Sequence, residues 1–324
     1  MHGTVVGILR GGPSSEHDVS LKTGAAMLKN LCRERHTPKD IFIDRQGVWH
    51  ERGIPVPPEK VLRSIDVALL GFHGEWGEDG EVQKLLERYG VPYTGSDSLG
   101  SALAMHKVLA KEHASDIGLL TPRYRLIEKE EDIDAAVSEI VKSFLQPVVV
   151  KPVASGSSVG IAMTHGHAPL VEAAMNILQS GGGALVEERI RGREATVGVV
   201  EGLRGEEYYV LPPIEIVPPP TEEFFSYEAK YGGGSREICP APFPKKVTKE
   251  LMESARKIHK ALGLRHYSRT DFMVSPHGIY YLETNTLPGM TEESLLPKAL
   301  AAVGMSFQDF LTHLIDLALK RKTV

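Results

Sequence analysis

Arg269, Asp271, Glu283 and Asn285 are the residues whose types and spacing first suggest chemistry. They fall in two short runs of strand formers, Arg269 to Val274 and Tyr280 to Asn285, separated by the turn residues Ser275-Pro-His-Gly278. Side chains alternate along a strand, so Arg269 and Asp271 share a face, as do Glu283 and Asn285. With Val274 opposite Tyr280, Asp271 lies opposite Glu283 and all four groups converge; a slip of one residue sends the pairs to opposite faces. Two carboxylates and an amide oxygen at one place suit a hard cation. Mg²⁺ fits best, because it keeps waters and binds through one or two carboxylates together with substrate phosphates. The guanidinium beside them would serve developing negative charge. The plain alternative is a surface hairpin with solvated charges.

Several further stretches carry groups suited to a nucleotide. Lys151 ends the apolar strand Pro147 to Val150, where an ammonium would project into a cleft and hold phosphate. The loop Gly156-Ser-Ser-Val-Gly160 follows. Its glycines permit close backbone approach, and its N–H groups with the hydroxyls of Ser157 and Ser158 suit a phosphate. The loop lacks the Gly-Lys-Ser/Thr end of a P-loop, and the chain has no G-x-G-x-x-G. Lys107 sits on a predicted helix, where the plain alternative is a solvated lysine. In Val186-Glu-Glu-Arg-Ile190 and Glu194, carboxylates are placed to accept from an adenine amino group and ribose hydroxyls; the alternative is a polar strand end.

Two loops follow predicted parallel strands, at the edge where α/β sheets bind ligands. Gly11-Gly-Pro-Ser-Ser-Glu16-His-Asp-Val-Ser20 offers Glu16 for an ammonium group, or simply as a helix-start carboxylate. His73-Gly-Glu-Trp-Gly-Glu-Asp-Gly80 opens on the same edge, with a turn histidine as the plain reading of His73.

The elements that must position these groups can be sketched. Thr4 to Leu9 and Asp66 to Phe72 are predicted strands. Val19 to Leu31 and Glu81 to Tyr89 are predicted helices, which together is βαβ text for a mostly parallel sheet. Helices are predicted over Ser101 to Ser115 and from Ile133, and strands over Gln146 to Val153 and Val159 to Thr164. Gly181-Gly-Gly183 reads as a linker before strands Ala184 to Ile190 and Glu194 to Val200. Pro212 to Pro244 is weakly patterned and reads as a functional loop or lid. Helix Thr248 to Leu262 has Thr248 as N-cap and Gly263 as stop. Ser306 and Asp309 have capping-box spacing before a helix Phe307 to Lys320. Three units result: residues 1–95, 96–182 and 183–324.

The 324 residues suffice for two or three domains, and a net charge of −5 argues against a nucleic-acid footprint. Two cysteines, Cys32 and Cys239, without metal-type pairing fit a reducing cytosol. No apolar run approaches membrane-spanning length, and none resembles a signal peptide core.

The ordered series of Gly11–Ser20, His73–Gly80, Lys151-Pro152 with Gly156–Gly160, Tyr227-Glu-Ala-Lys-Tyr231, and Glu283-Thr-Asn-Thr-Leu-Pro-Gly-Met-Thr291 with Ser294-Leu295 resembles the D-alanine:D-alanine ligases of the ATP-grasp superfamily over nearly the whole chain. The resemblance implies a three-domain α/β ATP-grasp fold, with nucleotide between the central and C-terminal domains, in a cytoplasmic homodimer. It implies ATP-dependent joining of two D-alanines through an acyl phosphate, for peptidoglycan precursors. The residue roles that follow are implied in the same way. Asp271, Glu283 and Asn285 bind two Mg²⁺ ions, Mn²⁺ being an alternative. Lys107 and Lys151 hold phosphates, Ser157 and Ser158 cover them, and Lys230 reaches the γ-phosphate. Glu187 and Ile190 flank adenine, and Glu194 holds ribose. Glu16 holds the first D-alanine's ammonium with His73 nearby, tied to the lid by Ser157 and Tyr231. Arg269 and the Gly289 N–H form the oxyanion site, and Ser294 and Leu295 receive the second carboxylate. Thr284 departs from the apolar residue usual between Glu283 and Asn285, and the lid segment after Lys230 is short and glycine-rich. Other readings are a ligase for another D-amino acid or D-lactate, or a nucleotide sensor without turnover.

Overall fold

Three sheets, each with its own backing helices, make up the computed structural model, which describes residues 3–156, 160–219 and 235–320. The first apolar run forms the strand Thr4–Gly11, with Val6, Ile8 and Leu9 fully buried, as a central parallel strand requires. It pairs in parallel with His36–Ile43 on one side and Val67–Leu70 on the other. Two short strands, Trp49–Glu51 and Ile54–Pro55, extend the sheet antiparallel beyond His36–Ile43. The helices His17–Asn30 and Glu81–Arg88 follow the two loops singled out above.

The second sheet is antiparallel, in the order Tyr124–Ile127, Ala184–Glu188, Val148–Pro152, Ala162–Thr164. Helices Ile133–Ser143 and His167–Gln179 bury Val137, Ile140, Leu170 and Ala174 against it. The glycines at 181–183 are therefore no linker to a following unit. Gly181, at φ +97°, ends the helix His167–Gln179, and the chain returns as a strand of the same sheet. A Gly-Gly-Gly run carries the same composition whether it separates domains or stops a helix.

The third sheet is antiparallel and runs Arg236–Ile238, Ile214–Val217, Arg193–Glu201, Tyr267–Ser275, Gly278–Asn285, with Tyr208–Val210 also paired to Arg193–Glu201. Part of the weakly patterned stretch from Pro212 to Pro244 thus supplies two strands. The backing helix is Lys245–Ala261. It starts after Pro244, so Thr248 is not its cap; the Thr248 N–H already bonds Pro244 O at 3.0 Å inside the helix. Gly263, at φ +63°, does follow its end.

The single helix expected over Ser101 to Ser115 is two, Ser98–Met105 and Lys107–Asp116. His106 leaves the helical region (ψ 96°), and its ring accepts the Leu109 N–H at 3.3 Å, capping the second helix. Both helices pack on the third sheet, with Ala104, Ala110 and Ala114 against Val197 and Tyr281. Helices Leu295–Ala302 and Phe307–Lys320 close the chain's core on the other side. Phe310, Leu311 and Leu314 share one apolar cluster with Ile8 and Leu69 of the first sheet. The Ser306 hydroxyl accepts the Asp309 N–H at 3.1 Å and donates to the Asp309 carboxylate at 2.6 Å, capping the helix at the expected spacing. No described helix is long and apolar enough to cross a membrane, and both cysteines are free thiols.

His259 links the backing helix to the third sheet and sets an acid limit on stability. It is fully buried, shares a 2.7 Å hydrogen bond with Ser268, and its other ring nitrogen has no hydrogen-bond partner among the described residues. Burial pushes its pKa down to about 3. The folded chain keeps it neutral while the unfolded chain protonates it near 6.5. Stability is therefore full above that value and falls as pH drops from there toward 3. Denaturant unfolding at pH 7 and 4.5 should show a loss on the order of 2–3 kcal/mol from this group, and His259→Gln should flatten that limb. An unchanged pH slope in the variant would count against this assignment.

Candidate active site

The hairpin Tyr267–Ser275/Gly278–Asn285 places Asp271 opposite Glu283 and Arg269 opposite Asn285, as the chemistry demands. It reaches that register differently from the simplest expectation. The turn is tighter, with Ser275 paired to Gly278 and Val274 to Ile279 rather than Tyr280. Continued without interruption, this register would set Glu283 against Thr270. A β-bulge between the Phe272–Tyr281 and Asp271–Glu283 pairs absorbs Leu282 and corrects it.

Asp271 is held on three sides. Arg269 donates to both its oxygens, at 3.1 and 2.9 Å; the Thr196 hydroxyl donates at 2.5 Å, and the Asn285 amide at 3.2 Å. Burial works against the Arg269 charge, but Asp271 and Glu283 raise its pKa and keep the guanidinium charged. Glu283 lies 3.4 Å from the Lys107 ammonium, which also donates to Ser155 O at 2.5 Å. The break at His106 makes this possible: Lys107 N–H bonds Val153 O at 2.8 Å, docking the helix start on the second sheet. Thr284, in place of an apolar residue, meets Thr270 across the strands, hydroxyl to hydroxyl at 3.1 Å.

Two cavities flank the hairpin. One, of about 740 Å³, lies between the second and third sheets and is lined by Lys151, Glu187, Ile190, Glu194, Met273 and Leu282, among others. Its volume and mixed lining suit a nucleotide-sized ligand. Glu187 is clamped, with Lys111 2.9 Å from one oxygen and Lys151 2.7 Å from the other. The other cavity, of about 220 Å³, is lined by Glu16, His73, Glu78, Arg269, Gly289 and Ser294, with Leu295 at its edge. A small pocket touching Glu78, Lys107, Glu283 and Asn285 lies between them.

The loops after the strands Thr4–Gly11 and Val67–Leu70 meet in the smaller cavity. His73 bonds the Thr23 hydroxyl at 2.7 Å, and its N–H donates to Ser20 at 3.0 Å. Glu16 is buried at a helix start. Glu78, five residues beyond His73, accepts the N–H groups of Gly74 and Leu287 at 2.9 and 3.0 Å and so ties the first unit to the segment holding Gly289. Burial and the Glu16 charge push its pKa up to about 7. The Ser294 hydroxyl caps Thr291 N–H at 3.0 Å, and a Cβ on Gly289 would come within 2.8 Å of it.

Of the residues expected from sequence, the structure gathers Asp271, Glu283, Asn285, Arg269 and Lys107 at the hairpin, Lys151, Glu187, Ile190 and Glu194 in the larger cavity, and Glu16, His73, Gly289, Ser294 and Leu295 in the smaller. Ser157, Ser158, Lys230 and Tyr231 lie outside the described residues. Lys111, Glu78 and Thr196 are additions. Lys111 was legible, since it lies four residues from Lys107 on one helix and so shares its face. Thr196 comes from a neighbouring strand and has no sequence signal.

Among the described residues no group of three or more His, Cys, Asp and Glu side chains converges as a metal site. The hairpin nevertheless offers an oxygen donor set of two carboxylates and an amide, the partial set that suits Mg²⁺ when phosphates complete the shell.

Solved structures share this architecture. The VanG D-Ala:D-Ser ligase from Enterococcus faecalis superimposes with a TM-score of 0.84 at 29% identity, over 98% of this chain and 100% of that one. A D-alanine–D-alanine ligase from Bacillus anthracis, complexed with ATP, gives 0.80 at 30% identity over 98% of each chain. The fold is that of an ATP-grasp enzyme. Family models described as D-ala D-ala ligase N-terminus and C-terminus match residues 5–96 and 114–316. The D-alanine–D-alanine ligases of Syntrophobacter fumaroxidans and Geobacter sulfurreducens are 41% and 40% identical, over 97% and 98% of this chain and 97% and 96% of their own. The chain belongs to the D-alanine:D-alanine ligase family.

Proposed function

We propose that the chain joins two D-alanines with ATP, releasing ADP and phosphate, to supply D-alanyl-D-alanine for peptidoglycan precursors. The observation that carries this reading is the meeting of two cavities at one acidic hairpin, a nucleotide-sized cleft on one side and a small polar pocket on the other. In the larger cavity Ile190 and Glu187 flank adenine, Glu194 takes ribose, and Lys107 and Lys151 hold phosphates with Ser157, Ser158 and Lys230. In the smaller, Glu16 and His73 orient the first D-alanine's ammonium, with Ser157 and Tyr231 linked to Glu16. Ser294 and Leu295 take the second D-alanine's carboxylate. Asp271, Glu283 and Asn285 hold Mg²⁺, which when bound offsets phosphate charge.

A carboxylate oxygen of the first D-alanine bonds to the γ-phosphorus as its bond to ADP breaks. The second D-alanine's amine attacks the resulting acyl carbon and loses a proton, and phosphate leaves. Arg269 and the Gly289 N–H face the oxygen on which charge develops. Positioning and fixed charge supply most of the acceleration. The sheets divide this work: the first binds one amino acid, and the second and third hold the nucleotide between them. A two-subunit assembly belongs to the same reading, and sedimentation of the purified chain tests it.

The decisive assay mixes the chain with ATP, Mg²⁺ and D-alanine. ADP, phosphate and dipeptide should appear in equal amounts, with no phosphate when D-alanine is left out. Nucleotide binding without turnover, or faster turnover with another D-amino acid or D-lactate, would overturn the assignment.

The pocket geometry adds a second expectation. Gly74 has φ +73°, and a Cβ there would lie 2.5 Å from the Ser14 hydroxyl oxygen and 3.0 Å from Glu16 Oε2. Gly74→Ala should displace Glu16 and raise the KM for D-alanine about tenfold, given roughly 1–2 kcal/mol of strain. The KM for ATP should hold. An unaltered D-alanine KM would separate Glu16 from ammonium binding.

A further inference from the structure

Lys111 has no part in the function above, yet it is the most completely buried charge in the described residues, at 0% exposure. It lies on the helix Lys107–Asp116, packed on the third sheet, and reaches across to Glu187 of the second. Its ammonium lies 2.9 Å from Glu187 Oε1 but makes no well-aligned hydrogen bond. Burial pushes its pKa down to about 8; Glu187 opposes that fall and Lys151 adds to it. A buried lysine in contact with one carboxylate, with Glu283 acting from further away, is a poor stabilising device, since an apolar side chain of similar volume avoids the desolvation cost.

The geometry of Glu187 supplies a reason. Its two oxygens serve two lysines, Lys111 at 2.9 Å and Lys151 at 2.7 Å, and Glu187 itself is 3% exposed. Of the two lysines only Lys151 lines the larger cavity. Any phosphate that enters there competes with Glu187 for the Lys151 ammonium. If Lys151 were the sole counter-ion, turning to phosphate would strand a buried carboxylate, a costly state. With Lys111 on the far oxygen the carboxylate stays compensated throughout.

We propose that Lys111 is a positioning residue for nucleotide binding: it holds Glu187 from the helix side, so that Lys151 is free to exchange its carboxylate for a phosphate. This rests on the reading that Lys151 binds ATP phosphate. Lys111 touches neither phosphate nor reacting atoms in this account. It acts through Glu187 alone, so its effect must vanish when Glu187 carries no charge.

The test is calorimetric titration of the full chain with AMP-PNP and Mg²⁺, on the wild type, Lys111→Met, Lys111→Gln, Glu187→Gln and the double variant Lys111→Met/Glu187→Gln. Lys111→Met and Lys111→Gln should weaken binding at least tenfold, on the scale of an uncompensated buried charge. The double variant should bind within about twofold of Glu187→Gln alone, because the coupling is lost. Thermal melts identify which variants are folded, and either Lys111 variant suffices. A folded Lys111 variant with wild-type affinity overturns the proposal. So does a double variant in which Lys111→Met costs as much as it does in the wild type, since the lysine would then be acting on packing. Failure of the wild type itself to bind AMP-PNP would instead refute the nucleotide reading.

Discussion

Arg269→Lys should lower kcat about 10²- to 10³-fold, the cost of removing a donor aimed at developing negative charge, while the KM for ATP changes little. The reason lies in the fork. Arg269 donates through two nitrogens to the two oxygens of Asp271, which fixes the plane of the guanidinium and keeps it charged against burial. A lysine keeps the charge but offers a point donor on a flexible stem. Asp271 also keeps the Thr196 hydroxyl and the Asn285 amide, so the variant should fold. Steady-state kinetics at saturating ATP and D-alanine check the expectation. A wild-type kcat would remove Arg269 from the reacting centre.

Glu283→Gln should have a comparable effect with a different signature. The change is isosteric, and Lys107 keeps Ser155 O as a partner, so structural damage should be slight. One anionic oxygen donor of the hairpin is lost, and Mg²⁺ prefers carboxylates among its few protein ligands. Turnover at a fixed low Mg²⁺ concentration should fall at least about 10²-fold. The Mg²⁺ concentration for half-maximal rate should rise, with partial recovery in excess metal. Identical Mg²⁺ curves for the two proteins would sink the role of Glu283. Read together, the variants separate two contributions of one hairpin: Arg269→Lys should be insensitive to added metal, Glu283→Gln sensitive to it.

The acidic hairpin was legible because alternation along a strand and turn chemistry are local rules. Spacing alone puts Arg269 with Asp271 and Glu283 with Asn285; bringing the two pairs to one face also needs the register. The bulge at Leu282 was not legible, for Leu282 is an ordinary apolar strand residue and only the pairing with Phe272 and Asp271 reveals it as the extra one. The helix expected over Ser101 to Ser115 broke at His106 for a similar reason: its apolar periodicity runs on, while docking of Lys107 against Val153 decides the break. Glu78 sat inside a motif singled out for His73. Its partner Leu287 is 209 residues away, a separation at which sequence pattern has nothing to say. The second sheet was misassigned at its last strand because glycine composition does not distinguish a helix stop from a hinge. Thr248 is no cap because the helix begins at Lys245, which puts the Thr248 N–H inside it, on Pro244 O.

The helix Phe307–Lys320 completes the apolar core beneath the first strands of the chain, placing Phe310 and Leu314 with Ile8 and Leu69. During synthesis on the ribosome, the first sheet is therefore translated long before one wall of its interior exists. Many multidomain chains settle from the N-terminus onward; here one apolar wall of the βαβ segment comes from a helix far along the sequence. The segment proposed to bind the first amino acid thus depends, for one side of its core, on a helix translated well after it.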